Sequence, residues 1–176
     1  MLLEKSNIAE FAGEFDTPTV VSRFDMETPM SPYDHAMPDD LLKIDELWRL
    51  IGNTHTDFVR DNPETLRKVM DGLDYLVVRD DSNQIVGAIS VLDCKKGGLF
   101  KIDSLAVDPH ERGKGYARAL ARGAIELCMD RQAKKICTLA LPASQPLFSS
   151  LEFKVHETND DGDASMFLEI DRKTAA

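Results

Sequence analysis

Along the chain, apolar positions first follow a helical rhythm and later an alternating one. Leu41, Ile44, Leu47, Trp48 and Ile51 recur three and four residues apart. This predicts a helix capped by Asp39 or Asp40 and stopped by Gly52. Asn62-Pro63 supplies a cap residue with proline behind it, and Leu66, Val69 and Met70 give a second helix an apolar face that ends at Gly72. Ahead of these, Glu4 to Phe11 reads as a short helix or a loose extension, and the β-branched run Thr19 to Phe24 as a first strand. Residues 25–38 carry Pro29, Pro32 and Pro38 and read as a loop.

From Tyr75 the rhythm changes. Tyr75–Val78, Ile85–Leu92 and Leu99–Val107 read as strands separated by turns at Asp80–Asn83 and Lys95–Gly98, an antiparallel meander. A long helix follows from about Gly115 to Arg131, with Ala117, Leu120, Ala121, Ala124, Leu127 and Cys128 on one face. Ile136–Leu141 then reads as a strand returning parallel to Leu99–Val107 through a right-handed crossover. Leu147–Leu151 is a helical turn, and Phe153–His156 with Ser165–Ile170 makes a last hairpin around Asn159–Asp163.

Composition narrows the class. At 176 residues, 43% hydrophobic and 30% charged, the chain fits one ordinary soluble domain. No apolar run approaches the roughly 18 residues of a membrane helix, and the first residues lack a signal-peptide pattern, so a cytoplasmic location is expected. The three cysteines, Cys94, Cys128 and Cys137, show no metal-ligand spacing, and no metal is expected. A formal net charge of −10 disfavours nucleic acid and anionic membranes as partners; it either provides solubility or favours a cationic amine.

The chemistry concentrates in Ile102-Asp-Ser-Leu-Ala-Val-Asp-Pro-His-Glu-Arg-Gly-Lys-Gly-Tyr-Ala117. Here a strand meets Asp108-Pro109, and Arg112-Gly-Lys-Gly115 opens a helix. Glycines permit tight turns and close approach to backbone amides. The unpaired first N–H groups and the helix dipole attract an anion, and a pyrophosphate suits them. A Walker loop needs Ser or Thr after Gly-Lys, but Gly115 follows Lys114. A dinucleotide fingerprint needs a third glycine where Arg118 stands, and a parallel βαβ start where the meander stands.

Arg112-Gly-Lys-Gly-Tyr-Ala117 after Leu-Ala-Val-Asp-Pro resembles the coenzyme A motif of the GNAT superfamily of N-acetyltransferases. Ala143-Ser-Gln-Pro-Leu-Phe-Ser-Ser-Leu-Glu-Phe153 is similar to that family's downstream Ala-Ser…Leu-Tyr…Leu-Gly-Phe segment. The resemblance implies an α/β (α+β) fold: a mixed, mostly antiparallel sheet splayed between its fourth and fifth strands and flanked by helices. It takes in residues 19–172 as one domain and leaves 1–18 as an extension. It also implies acetyl-CoA as cosubstrate, held by Leu105, Ala106, Val107, Arg112, Gly113, Lys114, Gly115, Tyr116, Ala117, Ser144 and Phe148. An amine of a small molecule or protein, cationic in one reading, would attack directly, and a homodimer is one assembly open to the chain.

Attack requires a neutral amine and hence a base. Asp103, on the strand before the loop, is the first candidate, with His110 and the Asp34-His35 pair as alternatives. The family's proton-donating Tyr falls on Phe148, which has no hydroxyl, and its Gly falls on Glu152. Two other readings stand beside the enzyme: an acyl-CoA-binding module without turnover, and a protein-interaction domain docking through residues 1–38. Under the first reading, the acidic hairpin turn either recruits a cation or is only a solvated turn.

Overall fold

The computed structural model describes residues 33–50 and 72–170. The strand expected over 19–24 and the helix expected over 62–72 lie largely or wholly outside the described residues. The elements in chain order are β1 (Asp34–His35), α1 (Leu41–Leu50), β2 (Leu73–Arg79), β3 (Ile85–Lys96), β4 (Leu99–Val107), α2 (Tyr116–Asp130), β5 (Lys135–Ala140), α3 (Gln145–Ser149), β6 (Lys154–Thr158) and β7 (Ala164–Glu169). Among the described residues one sheet runs in the order β1-β2-β3-β4-β5-β7-β6. Only β4 and β5 pair in parallel; every other pairing is antiparallel.

Alternation along the strands sorts the core into two layers. Leu76 and Val78 of β2 face α2, where Leu120, Ala121, Ala124, Ile125 and Cys128 meet them together with Ile89, Ile102 and Ile136. Tyr75 and Val77 face the other way, towards Ile44, Leu47 and Trp48 of α1. The helical spacing read from residue 41 onward thus becomes the buried stripe of α1. An ion pair from Arg131 to Asp74 ties the end of α2 to the start of β2.

Two expectations need correction. The loop over 25–38 contains a strand, since Asp34 and His35 pair with Val77 and Leu76, and the Ala36 N–H reaches the Tyr75 carbonyl at 3.0 Å. Pro32 and Pro38 bracket this stretch but leave its own N–H groups free to enter a ladder. Neither Asp39 nor Asp40 is the cap residue. The chain enters α1 through a 3₁₀ turn, Pro38–Asp40, with Met37 in the cap position. Asp40 reaches back to accept the Met37 N–H at 2.8 Å and also accepts from Arg79 at 2.8 Å.

Candidate active site

The centre of the site is an irregularity in β4. Val91 pairs with Ile102, but the next residue back on β3, Ser90, pairs with Ser104, so Asp103 is an extra residue with no β3 partner. Such a bulge bends the strand and re-aims its side chains. Here it exchanges the faces of β4. Phe100 and Ile102 belong to the α2 layer; past the bulge Leu105 and Val107 take that side, and Ala106 packs with the α1 layer. The sequence carried a signal of this in the adjacent polar residues Asp103 and Ser104, which interrupt the period of two.

The sheet splits at the same point. Parallel pairing of β4 with β5 runs from Leu99↔Lys135 to Ile102↔Thr138 and stops. Leu105, Ala106 and Val107 keep their pairing with β3 but have no β5 partner. A strand edge therefore lies open in the middle of the sheet, with backbone groups free to pair with an extended, amide-bearing ligand. Ser90, opposite both Tyr75 and Ser104, is fully buried on the α1 side, and its Oγ has no hydrogen-bond partner among the described residues.

Asp103 is solvent-accessible, and its Oδ1 accepts from Lys101 Nζ at 2.7 Å. Sequence reasoning passed over Lys101, although residues two apart on a strand share a face. The Tyr75 hydroxyl is pushed above its ordinary range, first by burial and then by the carboxylates of Asp103 and Asp74. It therefore stays a protonated donor at neutral pH.

β4 ends at Val107, and the next residue, Asp108, donates its N–H to the Val86 carbonyl at 2.8 Å while its carboxylate accepts the His110 N–H at 2.9 Å. Gly113 and Gly115 follow with φ of 83° and 86°, in the left-handed region that disfavours a side chain. A Cβ at either would meet nothing within 4 Å, so glycine is required there by backbone conformation and not by crowding. Gly115 caps α2, and the first helical N–H to find a partner inside it is that of Ala119, on the Gly115 carbonyl. The amides of residues 116–118 thus have no backbone partner among the described residues, as an anion site needs. Arg112 Nε donates to the Val107 carbonyl at 3.4 Å. Lys114 is held by Glu111 at 2.7 Å, which raises its pKa, so the pair adds little net positive charge.

Ser144 precedes α3, and its Oγ donates to the Leu141 carbonyl at 3.0 Å. Phe148 lies in the core at 2% exposure, edge-on to Phe153 with ring centroids 5.2 Å apart. The reason is local. The Phe153 N–H bonds to the Phe148 carbonyl at 3.0 Å and the Glu152 N–H to the Ser149 carbonyl at 3.1 Å, a Schellman closure with its usual apolar contact. Glu152 takes the left-handed position with φ 68°, so the turn survives replacement of the glycine.

The alternative bases stand elsewhere. Asp34 and His35 are exposed on β1, separated from β4 by β2 and β3. His110 is exposed in the 3₁₀ turn Pro109–Glu111. Cys128 and Cys137 are buried, and burial pushes each thiol up to about 12, which removes them as nucleophiles. Among the described residues there is no cluster fit to hold a metal ion, and no helix is long and apolar enough to cross a membrane.

A family model described as an acetyltransferase (GNAT) domain matches residues 48–169, well over half of the chain. Solved structures share the fold. A phosphinothricin acetyltransferase of Sinorhizobium meliloti in complex with acetyl-CoA is 20% identical with a TM-score of 0.65, over 82% of this chain and 90% of its own. A GNAT family N-acetyltransferase of Escherichia coli in complex with CoA is 23% identical with a TM-score of 0.61, over 78% and 79%. A Mycobacterium tuberculosis protein in complex with CoA is 16% identical with a TM-score of 0.64, over 78% and 98%. No curated protein matches in sequence.

Proposed function

The chain belongs to the GNAT acetyltransferase family, and from that premise we propose that it transfers the acetyl group of acetyl-CoA to an amine by direct attack. The observation that carries this is the coincidence, at one residue, of the β4 bulge and the end of β4–β5 pairing. An extended pantetheine arm fits the open edge at Leu105, Ala106 and Val107, where its amides replace the missing strand. The pyrophosphate fits the turn from Arg112 to Ala117, with Gly113 and Gly115 supplying the left-handed backbone and the α2 amides the donors. Ser144, at the turn after β5, stays a candidate contact, whereas Phe148 is buried in the core and does not offer its ring to the cofactor. The solved neighbours that hold CoA or acetyl-CoA support this choice of ligand.

In the reaction a nitrogen lone pair attacks the thioester carbonyl, a C–N bond forms and the C–S bond breaks. A backbone N–H of β4 beyond the bulge stabilises the developing oxyanion. Asp103 takes the proton that the nitrogen loses, directly or through water. Phe148 offers no proton, so the thiolate leaves unassisted and is protonated by solvent. A thiol with a pKa of about 8.5 is stable enough as an anion for this.

That same Phe148 motivates a second reading, a module that binds acyl-CoA without turnover. Calorimetry with CoA together with thiol release from acetyl-CoA across an amine panel separates the two. Binding with release is the expected result. Binding without release would establish the module, and no binding would remove both.

A further inference from the structure

Ile102 and Thr138 are the last paired residues of β4 and β5, so Asp103 and Leu139 are the first residues on either side of the split. Leu139 lies between Thr138 and Ala140; Ile136 and Ala140 belong to the α2 layer, so alternation turns Leu139 to the opposite face. Asp103 has that face too, beside Lys101. A leucine so placed would ordinarily be covered, yet Leu139 is 52% exposed, and Leu141 just past the end of β5 is 51% exposed. Two large exposed apolar side chains at a strand end next to a reacting centre form a surface suited to an apolar group.

Asp103 is paired with Lys101 at 2.7 Å, so its charge is opposed at the split. The β6–β7 turn is closed by Asn159 and by main-chain bonds that do not engage the carboxylates of Asp160, Asp161 or Asp163. Asn159 Oδ1 accepts the Asp163 N–H at 2.8 Å, the Asn159 N–H donates to the Asp163 carbonyl at 2.9 Å and the Gly162 N–H to the Asn159 carbonyl at 3.0 Å.

We infer that Leu139 and Leu141 form the apolar wall of the acceptor site, and that the acceptor carries an alkyl or arylalkyl group next to its nitrogen. The inference rests on the proposed acetyl transfer at Asp103. Thiol release from acetyl-CoA tests it with 2-phenylethylamine, ethanolamine and spermidine as acceptors, for the native chain and for Leu139→Ser, Leu141→Ser and Leu139→Met. The native chain is expected to prefer 2-phenylethylamine in kcat/KM. The ratio over ethanolamine should fall about tenfold or more in the serine variants and be largely kept by Leu139→Met, since one lost apolar contact is worth roughly 10–200-fold in discrimination. Amines acetylated without that preference, a preference for spermidine, or a ratio that survives Leu139→Ser would overturn the inference and leave acetyl transfer standing. No acetylation of any amine would remove both. Sedimentation of the same proteins covers the other occupant: a dimer dispersed by Leu139→Ser would make these leucines a subunit contact and also overturn the inference.

Discussion

At the scale of the residue, side chains here are fixed by backbone conformation as much as by contacts. Glu152 sits at φ 68°, where a residue with a Cβ is strained by roughly 1–2 kcal/mol. Glu152→Gly is therefore expected to raise stability by about 1 kcal/mol, read from the midpoint of guanidinium unfolding, with the Phe148–Phe153 contact preserved. Gly115 presents the reverse case. Valine there meets open space but the wrong φ, and the strain falls on the amides proposed to hold the pyrophosphate. Gly115→Val should weaken CoA binding about tenfold or more in calorimetry, since each 1.4 kcal/mol is a factor of ten. Lys114→Ala should weaken it less, because Glu111 already opposes that charge. Asp103→Asn should lower kcat/KM by about 10²–10⁴ near neutral pH. If Asp103 acts by removing a proton from the amine, the deficit must shrink as pH rises towards the pKa of the acceptor, where the free base exists without help. A deficit constant across pH would assign Asp103 a structural part instead.

At the scale of the element, α2 connects the cofactor turn to the rest of the molecule through a close approach. The Tyr33 ring lies on Gly123, where a Cβ would come within 2.5–2.7 Å of ring carbons, and the Tyr33 hydroxyl donates to Glu126 one turn further along. The ring is thus held at both ends, and it cannot move aside without losing that hydrogen bond. Gly123→Ala is expected to destabilise the fold by about 1–3 kcal/mol, the usual cost of overpacking. Tyr33→Ala in the same chain should recover part of the loss, and a double-mutant cycle measures the coupling. An additive cycle would mean that Gly123 is there for another reason. The same helix shows what a sequence makes legible. Its start at Gly115 and its buried face were plain because glycine and the 3.6-residue period are local signals. The Tyr33 contact joins residues 90 positions apart and left no such mark.

At the scale of the whole molecule, the order of elements from β2 onward and the parallel return of β5 were readable, because each of these strands announces itself by its own turns, as the two-residue β1 does not. Less was readable where two elements decide together. The bulge at Asp103 depends on the β3 register, the Lys101 pair on a shared face, and the burial of Phe148 on Phe153, so the sequence located the loop more sharply than the chemistry beside it. The cysteines illustrate how a global property follows from such burial. Cys128 and Cys137 are pushed up to about 12 in the folded chain from an ordinary value of 9.0, chiefly by desolvation, and Cys94 is raised in the same direction. Below about pH 9 these thiols are protonated in both folded and unfolded chains, and their contribution to stability is fully present. Between about pH 9 and 12 the unfolded chain releases the protons while the folded chain keeps them, so stability must fall as pH rises. Lys135, lowered by burial, opposes this trend, because deprotonation relieves its cost. Urea unfolding at a series of alkaline pH values should therefore show a declining midpoint that Cys128→Ala and Cys137→Ala each flatten. A slope unchanged by both would mean that water reaches these thiols in the folded state, against the burial of both side chains.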